Sequence, residues 1–384
     1  LPLFTSYNHS SIPFAYPPLA FYLTGGLSQL FNWSLINIYR IFPAVITVFT
    51  IPAFYLLAKD LTKNDNQLSL ATLIFCFLPA SFDWSIMGGG VTRSLGFLFA
   101  LLTLHFTFRF FTSGRVKDVV IPALFLSLSI LSHPETGFHT AVSVPVFWFF
   151  LGHNKKGVWQ TGLMALLTII LTAPWWGSVL TSHGLSPFLS ALSTSEQNGN
   201  AFFFPLNVTI TSEIGVGSIA LLALIGFILF LAKKSYFLPV WALISYTIAP
   251  RSAKIFIAPS VAIFASFTVI LLIQWLDGKN QAKEKGTIET PFLSSLYSKL
   301  FLALMFVQWF NGSERVLRQF SYNKVSKEDR VAFSWVKENT APDSSFVIVT
   351  DRIWSTDSAS EWFPVLTGRR SSATVQGTEW LGGD

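Results

Sequence analysis

The chain has 384 residues, of which 51% are hydrophobic and 12% are charged, about half the charged share of an average soluble domain. Apolar runs close to the ~20 residues that cross a bilayer recur over the first 310 positions, which predicts a multi-pass membrane protein and argues against a soluble or nucleic-acid-binding one. The lone Cys76 excludes a disulfide framework. Because the chain starts without Met and stops in a polar stretch, we expect both ends to be cut.

The apolar runs predict about ten transmembrane helices in an all-α arrangement. Their approximate positions are 38–58, 67–82, 93–112, 118–132, 136–152, 158–176, 214–232, 235–250, 254–275 and 293–310. Most Lys and Arg residues of this part fall on alternate connections, which marks those connections as cytoplasmic. The exceptions are Arg40, Arg93, Arg251 and Lys254, and all of them fall on the predicted outer side.

Two further segments complete the predicted organisation. Residues 17–32 are apolar but short, so we predict an outer loop and a juxtamembrane helix within residues 1–37 of a transmembrane domain that covers residues 1–310. Beyond it, the pattern predicts an amphipathic helix, a turn at residues 341–343 and a short strand at 346–350. Since the last predicted span exits outward, residues 311–384 are expected to begin a small extracytoplasmic α/β domain.

The predicted outer loop at residues 81–96 places two charges against the dipoles of their helices. Asp83 follows the end of one helix, and Arg93 lies in the first turn of the next. A mutual surface salt bridge would explain both charges, with little gain in stability. We favour a functional interpretation, in which Asp83 does acid/base or metal chemistry and Arg93 binds a phosphate. The glycines at 88–90 would then offer backbone N–H groups to an anion.

Other residues on the predicted outer side are candidates for binding a lipid phosphate. For Arg251 and Lys254, contact with lipid head groups and binding of a specific phosphate are equally good explanations. Arg40 could simply reach the head groups, and Tyr16 could belong to a stiff helix entry. Sequons of the N-x-S/T type, a motif too short to carry weight, occur at Asn8, Asn32, Asn207 and Asn311.

The corner SHPETG at residues 132–137 separates two predicted helices. Ser132 and Glu135 have the spacing of a capping box and Pro134 fits the first turn, so a helix start explains these three residues without a substrate. It does not explain His133, and Glu135 would lie on the outer side beside the other charges. We favour the helix corner and keep His133 and Glu135 as candidate catalytic residues.

These motifs, in this order, resemble the GT-C-fold glycosyltransferases, such as the protein mannosyltransferases and the aminoarabinose transferases. The resemblance covers roughly residues 12–310. It is carried by YPPLAFYL (16–23), YRIFPAV (39–45), DWSIMGGGVTRSLGFLFAL (83–101) and SHPETG (132–137). In that family the first outer loop holds the main catalytic carboxylate, whereas residues 1–59 contain no Asp or Glu. Either that loop was lost with a truncated start of the chain or this member lacks the carboxylate, and we favour truncation.

The resemblance implies a membrane hexosyl- or pentosyltransferase that takes a sugar from a polyprenyl-phosphate donor. The acceptor would be a lipid, glycan or protein on the outer face of the cell membrane. Arg93, Arg251 and Lys254 would stabilise the departing phosphate, and Asp83 would orient the acceptor or hold a divalent metal such as Mg²⁺ or Mn²⁺. Two alternatives are a transporter or lipid flippase, which would need ionisable groups at mid-span, and a non-catalytic protein that binds envelope glycans.

Overall fold

The computed structural model describes residues 1–86, 90–193, 217–248, 253–281, 294–322, 325–350, 357–377 and 380. The chain divides into two compact units. The helical unit consists of residues 17–172 and 197–314, and the composite unit consists of residues 1–16, 173–196 and 315–384. The composite unit therefore joins the predicted terminal domain with two short stretches that lie far away in the sequence. The membrane boundary at residue 310 stays a prediction.

Helices dominate the described residues. They are α1 (Leu19–Phe31), α2 (Leu35–Leu61), α3 (Asp65–Phe77), α4 (Asp83–Ile86), α5 (Gly90–Ser113), α6 (Val120–Ser132), α7 (Pro134–Leu151), α8 (Lys155–His183), α9 (Ser186–Ser193), α10 (Ser218–Ala232), α11 (Phe237–Ile248), α12 (Ala253–Gln281), α13 (Leu296–Tyr322), α14 (Lys327–Asn339) and α15 (Ser358–Thr367). Short 3₁₀ turns occur at Tyr7–His9, Pro79–Ser81 and Val116–Val119. Two short strands, β1 (Ser345–Phe346) and β2 (Arg370–Ser371), pair in parallel.

Four of the described helices, α2, α5, α8 and α12, are long and apolar enough to cross a bilayer. The helices α10 and α11 and the stretch Leu296–Gln308 of α13 are apolar but shorter. The prediction of a mainly helical membrane protein is thus confirmed, whereas the count of about ten spans is not. With 13 residues, α1 is roughly 20 Å long, which is less than the ~30 Å of hydrocarbon in a bilayer. Its juxtamembrane position stays a prediction.

The core of the helical unit is built around α5, which packs against α2, α6 and α7. A column of buried phenylalanines joins three helices: the rings of Phe54 and Phe75 stack with centroids 4.1 Å apart, and Phe75 lies 6.3 Å from Phe97. A second layer forms where α12 packs against α3, α10 and α11. The apolar runs of the sequence therefore meet one another inside the unit as well as facing outward.

The C-terminal end of α2 is tied to α5 by a buried charge. The Asp60 carboxylate lies 2.6 Å from Nδ1 of His105, and its other oxygen accepts a longer hydrogen bond of 3.5 Å from Arg109. The side chains of Asp60 and His105 are 10% and 6% exposed, while Arg109 is largely in contact with solvent. This pair lies at the end of the helices opposite to Arg40 and Arg93.

In the composite unit, a loop near the start of the chain is locked to residues near its end. The Asn8 side chain donates to the Ser371 carbonyl at 3.0 Å and accepts from the Ser371 N–H at 2.6 Å. Asn8 is buried, so this sequon is not open to modification in the folded unit. Nearby, the Trp175 indole N–H donates to the Ala15 carbonyl at 3.0 Å.

The predicted amphipathic helix of the terminal region is confirmed as α14, which begins with a capping box between Ser326 and Asp329. The predicted turn follows, with the Ser344 N–H bonded to the Ala341 carbonyl at 3.0 Å. The predicted strand at 346–350 is wrong in extent, because β1 comprises only Ser345–Phe346. It is short because its only described strand partner, β2, offers two residues for pairing.

Candidate functional site

The start of α5 is packed tightly against α4. A Cβ atom on Gly90 would lie 2.0 Å from the backbone oxygen of Ser85, so no side chain fits at this position. The helix α4 begins with half-buried Asp83, whose Oδ1 accepts a hydrogen bond of 2.6 Å from the Trp84 N–H. Residues 88 and 89 of the predicted anion-binding loop lie outside the described residues. The role that the structure gives to Gly90 is close packing.

Arg93 lies in the first turn of α5 and stacks on an aromatic ring of α4. Its guanidinium carbon is 4.6 Å from the centroid of the Trp84 ring, which is a cation–π geometry. A guanidinium carries five N–H donors in one plane, a geometry that suits the oxygens of a phosphate. The sequence did not predict a role for Trp84. Its only signal is an aromatic residue beside Asp83 in the same loop.

The corner between α6 and α7 is capped by His133. Its Nδ1 accepts a hydrogen bond of 3.3 Å from the Thr136 N–H and lies 2.9 Å from the Thr136 hydroxyl. Ser132 is still part of α6, where its hydroxyl donates to the Leu128 carbonyl at 2.7 Å. The predicted capping box is therefore wrong, since the residue that caps α7 lies one position later than Ser132. Pro134 does occupy the first helical turn, as predicted.

The cap also sets the protonation state of His133. A nitrogen that accepts an N–H hydrogen bond carries no proton, so the neutral ring has its proton on Nε2. Burial, followed by the charge of Arg93 and the neighbouring His139, lowers the pKa of His133 far below its ordinary value of 6.5. His133 is thus held as a neutral hydrogen-bond donor close to a cation.

The first two turns of α5, α7 and α12 pack against one another near this corner. A Cβ atom on Gly96 of α5 would lie 2.9 Å from the Cβ atom of His133, so α5 and α7 are in close contact there. From α12, the Phe256 ring stacks on His139 of α7 at 3.8 Å and lies 6.4 Å from Phe97 of α5. Each helix N-terminus carries about half a positive charge. Their approach makes this corner favourable for an anion.

Two of the predicted site residues lie in the first turns of these helices. Half-buried Lys254 is the second residue of α12, and half-buried Glu135 is the second residue of α7. The carboxylate of Glu135 is favourable at a helix start, whereas the charge of Lys254 opposes the dipole of its helix. Arg251 lies outside the described residues.

The structure does not bring the remaining candidates to the corner. Arg40 is exposed on α2 and makes no hydrogen bond or ion pair with any residue that the structure describes. Tyr16 belongs to the composite unit, where its ring lies edge-on to Trp380 at 6.2 Å. The assignment of these two residues to phosphate binding stays a prediction.

A metal centre is not assembled by the described part of the chain. No three His, Cys, Asp or Glu side chains come together among those residues. Asp83 could contribute one ligand, but Mg²⁺ bound through a single carboxylate takes its other ligands from phosphate and water. We therefore derive no step through a metal ion.

Comparison with known proteins gives the fold. No family model matches the chain. An uncharacterized protein of Aquifex aeolicus (strain VF5) is 25% identical over 161 residues, which are 42% of this chain and 32% of that protein. Among solved structures, the archaeal oligosaccharyltransferase AglB from Archaeoglobus fulgidus, in complex with an inhibitory peptide and a dolichol-phosphate, matches with a TM-score of 0.64 and 14% identity. This chain shares the fold of the matched part of that protein.

The match to this fold covers nearly all of the chain and a little over half of the solved proteins. For the complex with dolichol-phosphate the coverage is 97% of this chain and 57% of that one. The A. fulgidus oligosaccharyltransferase tethered with an acceptor peptide containing the NVT sequon gives a TM-score of 0.65 over 95% and 56%, at 14% identity. Its apo form gives 0.60 over 97% and 58%. The predicted GT-C fold is thus confirmed, while the predicted subfamily is not.

Proposed function

We propose that this chain acts in a membrane glycosyltransferase that takes a hexosyl or pentosyl group from a polyprenyl-phosphate donor. The observation that carries the proposal is the packing of the first two turns of α5, α7 and α12 close to Arg93. Helix N-termini and arginine both favour phosphate. A fold shared with a protein that was solved in complex with a dolichol-phosphate supports the same class of ligand.

In the proposed reaction, an acceptor oxygen bonds to C1 of the sugar while the bond from C1 to the donor phosphate oxygen breaks. The phosphate leaves with additional negative charge, which Arg93, Lys254 and the helix N-termini stabilise. The Nε2–H group of neutral His133 can donate a hydrogen bond to the same oxygens. Arg251 would add a further cation to this group.

The acceptor must lose a proton as it attacks, and a carboxylate is the group suited to take or direct it. Asp83 begins α4 and Glu135 lies in the first turn of α7. We assign Asp83 to orient the acceptor hydroxyl and accept its proton, with Glu135 as the second candidate for this role. The acceptor itself is a lipid, a glycan or a protein. We place the protein in the cell membrane as a multi-pass protein, with residues 311–384 on the outer side. Dependence on Mg²⁺ or Mn²⁺ belongs to the same proposal.

The test uses the protein reconstituted in liposomes with a radiolabelled polyprenyl-phosphate sugar. We would compare donor affinity and sugar transfer in wild type, Arg93→Gln and Lys254→Gln, with exposed Lys117→Gln as the control for loss of a positive charge. A hydrogen bond to a charged group is worth about 1.5–3 kcal/mol, so each site variant should weaken donor binding roughly 10- to 100-fold. Removal of divalent ions from the wild type with a chelator tests whether sugar transfer requires Mg²⁺ or Mn²⁺.

Three results would count against the proposal in different ways. Unchanged donor affinity in both site variants would remove the phosphate site. Donor binding without transfer to any acceptor would favour a non-catalytic glycan-binding protein. Movement of the lipid across the bilayer without sugar transfer would favour a flippase.

A further inference from the structure

A histidine inside the helical unit lacks hydrogen-bond partners. His139 on α7 is 3% exposed, and neither Nδ1 nor Nε2 has a partner among the residues that the structure describes. A neutral imidazole has one donor and one acceptor, and each costs about 1–3 kcal/mol when it is buried without a partner. The stacked ring of Phe256 covers one face but satisfies neither nitrogen. An additional group is therefore needed in the ring plane of His139.

A small cavity lies beside this histidine. It is lined by His139, Thr140 and Ser143 of α7, Trp241 and Ser245 of α11, and apolar side chains of α5 and α12. The Thr140 hydroxyl donates to the Thr136 carbonyl at 2.7 Å. The cavity offers about 20 Å³ to the centre of a water molecule, and about 10–15 Å³ is enough to hold one. The cavity is too small for a lipid head group or a sugar.

The cavity is also lined by a second polar side chain, Ser245. This residue is 4% exposed. The Ser143 hydroxyl is already used, since it donates to the His139 carbonyl at 2.9 Å and accepts from the Trp241 N–H at 3.0 Å. His139 and Ser245 are therefore the two groups that a guest would bind.

The positions of these residues on their helices explain why they face one another. Ser143 and Trp241 form a direct hydrogen bond between α7 and α11. His139 lies one turn before Ser143, and Ser245 lies one turn after Trp241. In an antiparallel pair of helices such residues meet again one turn along the interface. Ser143 and Trp241 are joined by a direct hydrogen bond, whereas the cavity lies between His139 and Ser245.

We propose that this cavity is a binding site for one internal water molecule, held by His139 and Ser245. The water joins α7 to α11 in the same way that Ser143 and Trp241 do directly. It lies two turns along α7 from His133, and so it stiffens the helix that carries the cap of the candidate site.

The first test is an experimental map of the protein at a resolution that shows ordered water. We expect a peak within about 3.2 Å of a His139 ring nitrogen and of Ser245 Oγ. An empty cavity, or a direct hydrogen bond from His139 to a side chain, would overturn the proposal. Because this measurement uses the wild-type protein, it does not depend on whether a variant folds.

The second test is a double-mutant comparison of thermal unfolding in detergent. Ser245→Ala should lower the apparent Tm in the wild type and have a much smaller effect in a His139→Leu background, because the shared water is already lost. Exposed Thr247→Ala on the same helix is the control and should shift the Tm equally in both backgrounds. Equal shifts for Ser245→Ala in the two backgrounds would contradict a shared ligand.

Discussion

The guanidinium group of Arg93 lies over the indole ring of Trp84, with its central carbon 4.6 Å from the ring centroid. The two residues are nine positions apart and belong to different helices. Their contact fixes the direction of a cation that the sequence alone could place only at the start of a helix. Trp84 is 46% exposed, so the stacked pair is reached from outside the protein.

Loss of the ring should weaken phosphate binding without removing the cation. We expect Trp84→Ala to raise the Kd for a polyprenyl phosphate about 2- to 5-fold, the equivalent of a cation–π contact of ~0.5–1 kcal/mol. Trp84→Phe should retain most of the affinity. Titration in liposomes would measure both. An effect of Trp84→Ala as large as that of Arg93→Gln would show that the ring binds the ligand itself.

The double role of His133 predicts that its two functions can be separated. His133→Asn should keep the cap of α7, since asparagine is a good N-cap residue, and should leave the apparent Tm nearly unchanged. The same variant should lower sugar transfer, because an amide does not replace the Nε2–H group in position. His133→Ala should lose both the cap of α7 and the Nε2–H donor. Its stability should fall by about 1 kcal/mol. Equal transfer by wild type and His133→Asn would restrict His133 to the helix cap.

The depressed pKa of His133 makes a prediction about pH. In the unfolded chain the ring takes up a proton as the pH falls below about 6.5, but in the folded protein it does not until the pH is much lower. The contribution of His133 to stability is therefore complete above pH 6.5 and is lost as the pH falls below it. The apparent Tm should drop less between pH 7.5 and pH 5 in His133→Asn than in wild type. Parallel pH profiles would contradict this.

The buried pair of Asp60 and His105 should matter more for stability than an exposed pair of similar length. We expect Asp60→Asn to cost about 1.5–3 kcal/mol, because it removes the charge from a buried hydrogen bond of 2.6 Å. Asp118→Asn is the matched control, since Asp118 accepts from Arg115 at 2.8 Å near the surface and its loss should change stability much less. Denaturation in mild detergent compares the two. Equal losses of stability in the two variants would mean that burial does not strengthen the pair of Asp60 and His105.

Glycine at position 90 is predicted to be essential for the site. The Cβ atom in Gly90→Ala would overlap the Ser85 carbonyl, so α4 must move and Trp84 must move with it. We expect lower stability and weaker donor binding together. Gly162→Ala on α8 has no atom within 4 Å of the added carbon and should be neutral or slightly stabilising. If Gly90→Ala changed neither stability nor donor binding, the close contact between α4 and α5 would not be needed for either.

The helices were the part of the fold that the sequence could predict, because apolar runs and corner residues are local signals. The cap of α7 was assigned to Ser132 instead of His133, because both the serine and Glu135 fit the spacing of a capping box. Local spacing could not show that Ser132 would use its hydroxyl within α6. Because Ser132 donates to the Leu128 carbonyl within α6, the cap of α7 is His133, one residue later.

The arrangement of the site could be predicted only in part. The sequence placed Arg93 and His133 at helix starts, but it could not show that α5, α7 and α12 pack against one another near those starts, since that depends on packing between distant segments. Gly96 is the residue that permits the closest approach, and glycine in an apolar helix has no unique interpretation. The orphaned nitrogens of His139 are likewise visible only once its neighbours are known.

The two hydrogen bonds between the Asn8 side chain and the Ser371 backbone constrain when this unit can fold during synthesis. The two residues are 363 positions apart, and ribosomes add about 5–20 residues per second, so Asn8 waits on the order of 20–70 s for its partner. During that interval its side-chain nitrogen is free, and the sequon that the finished protein buries is open. A sugar attached in that interval would occupy the nitrogen that donates to Ser371, and the composite unit could not close. The contact between Asn8 and Ser371 can therefore form only after nearly the whole of this sequence has been synthesised.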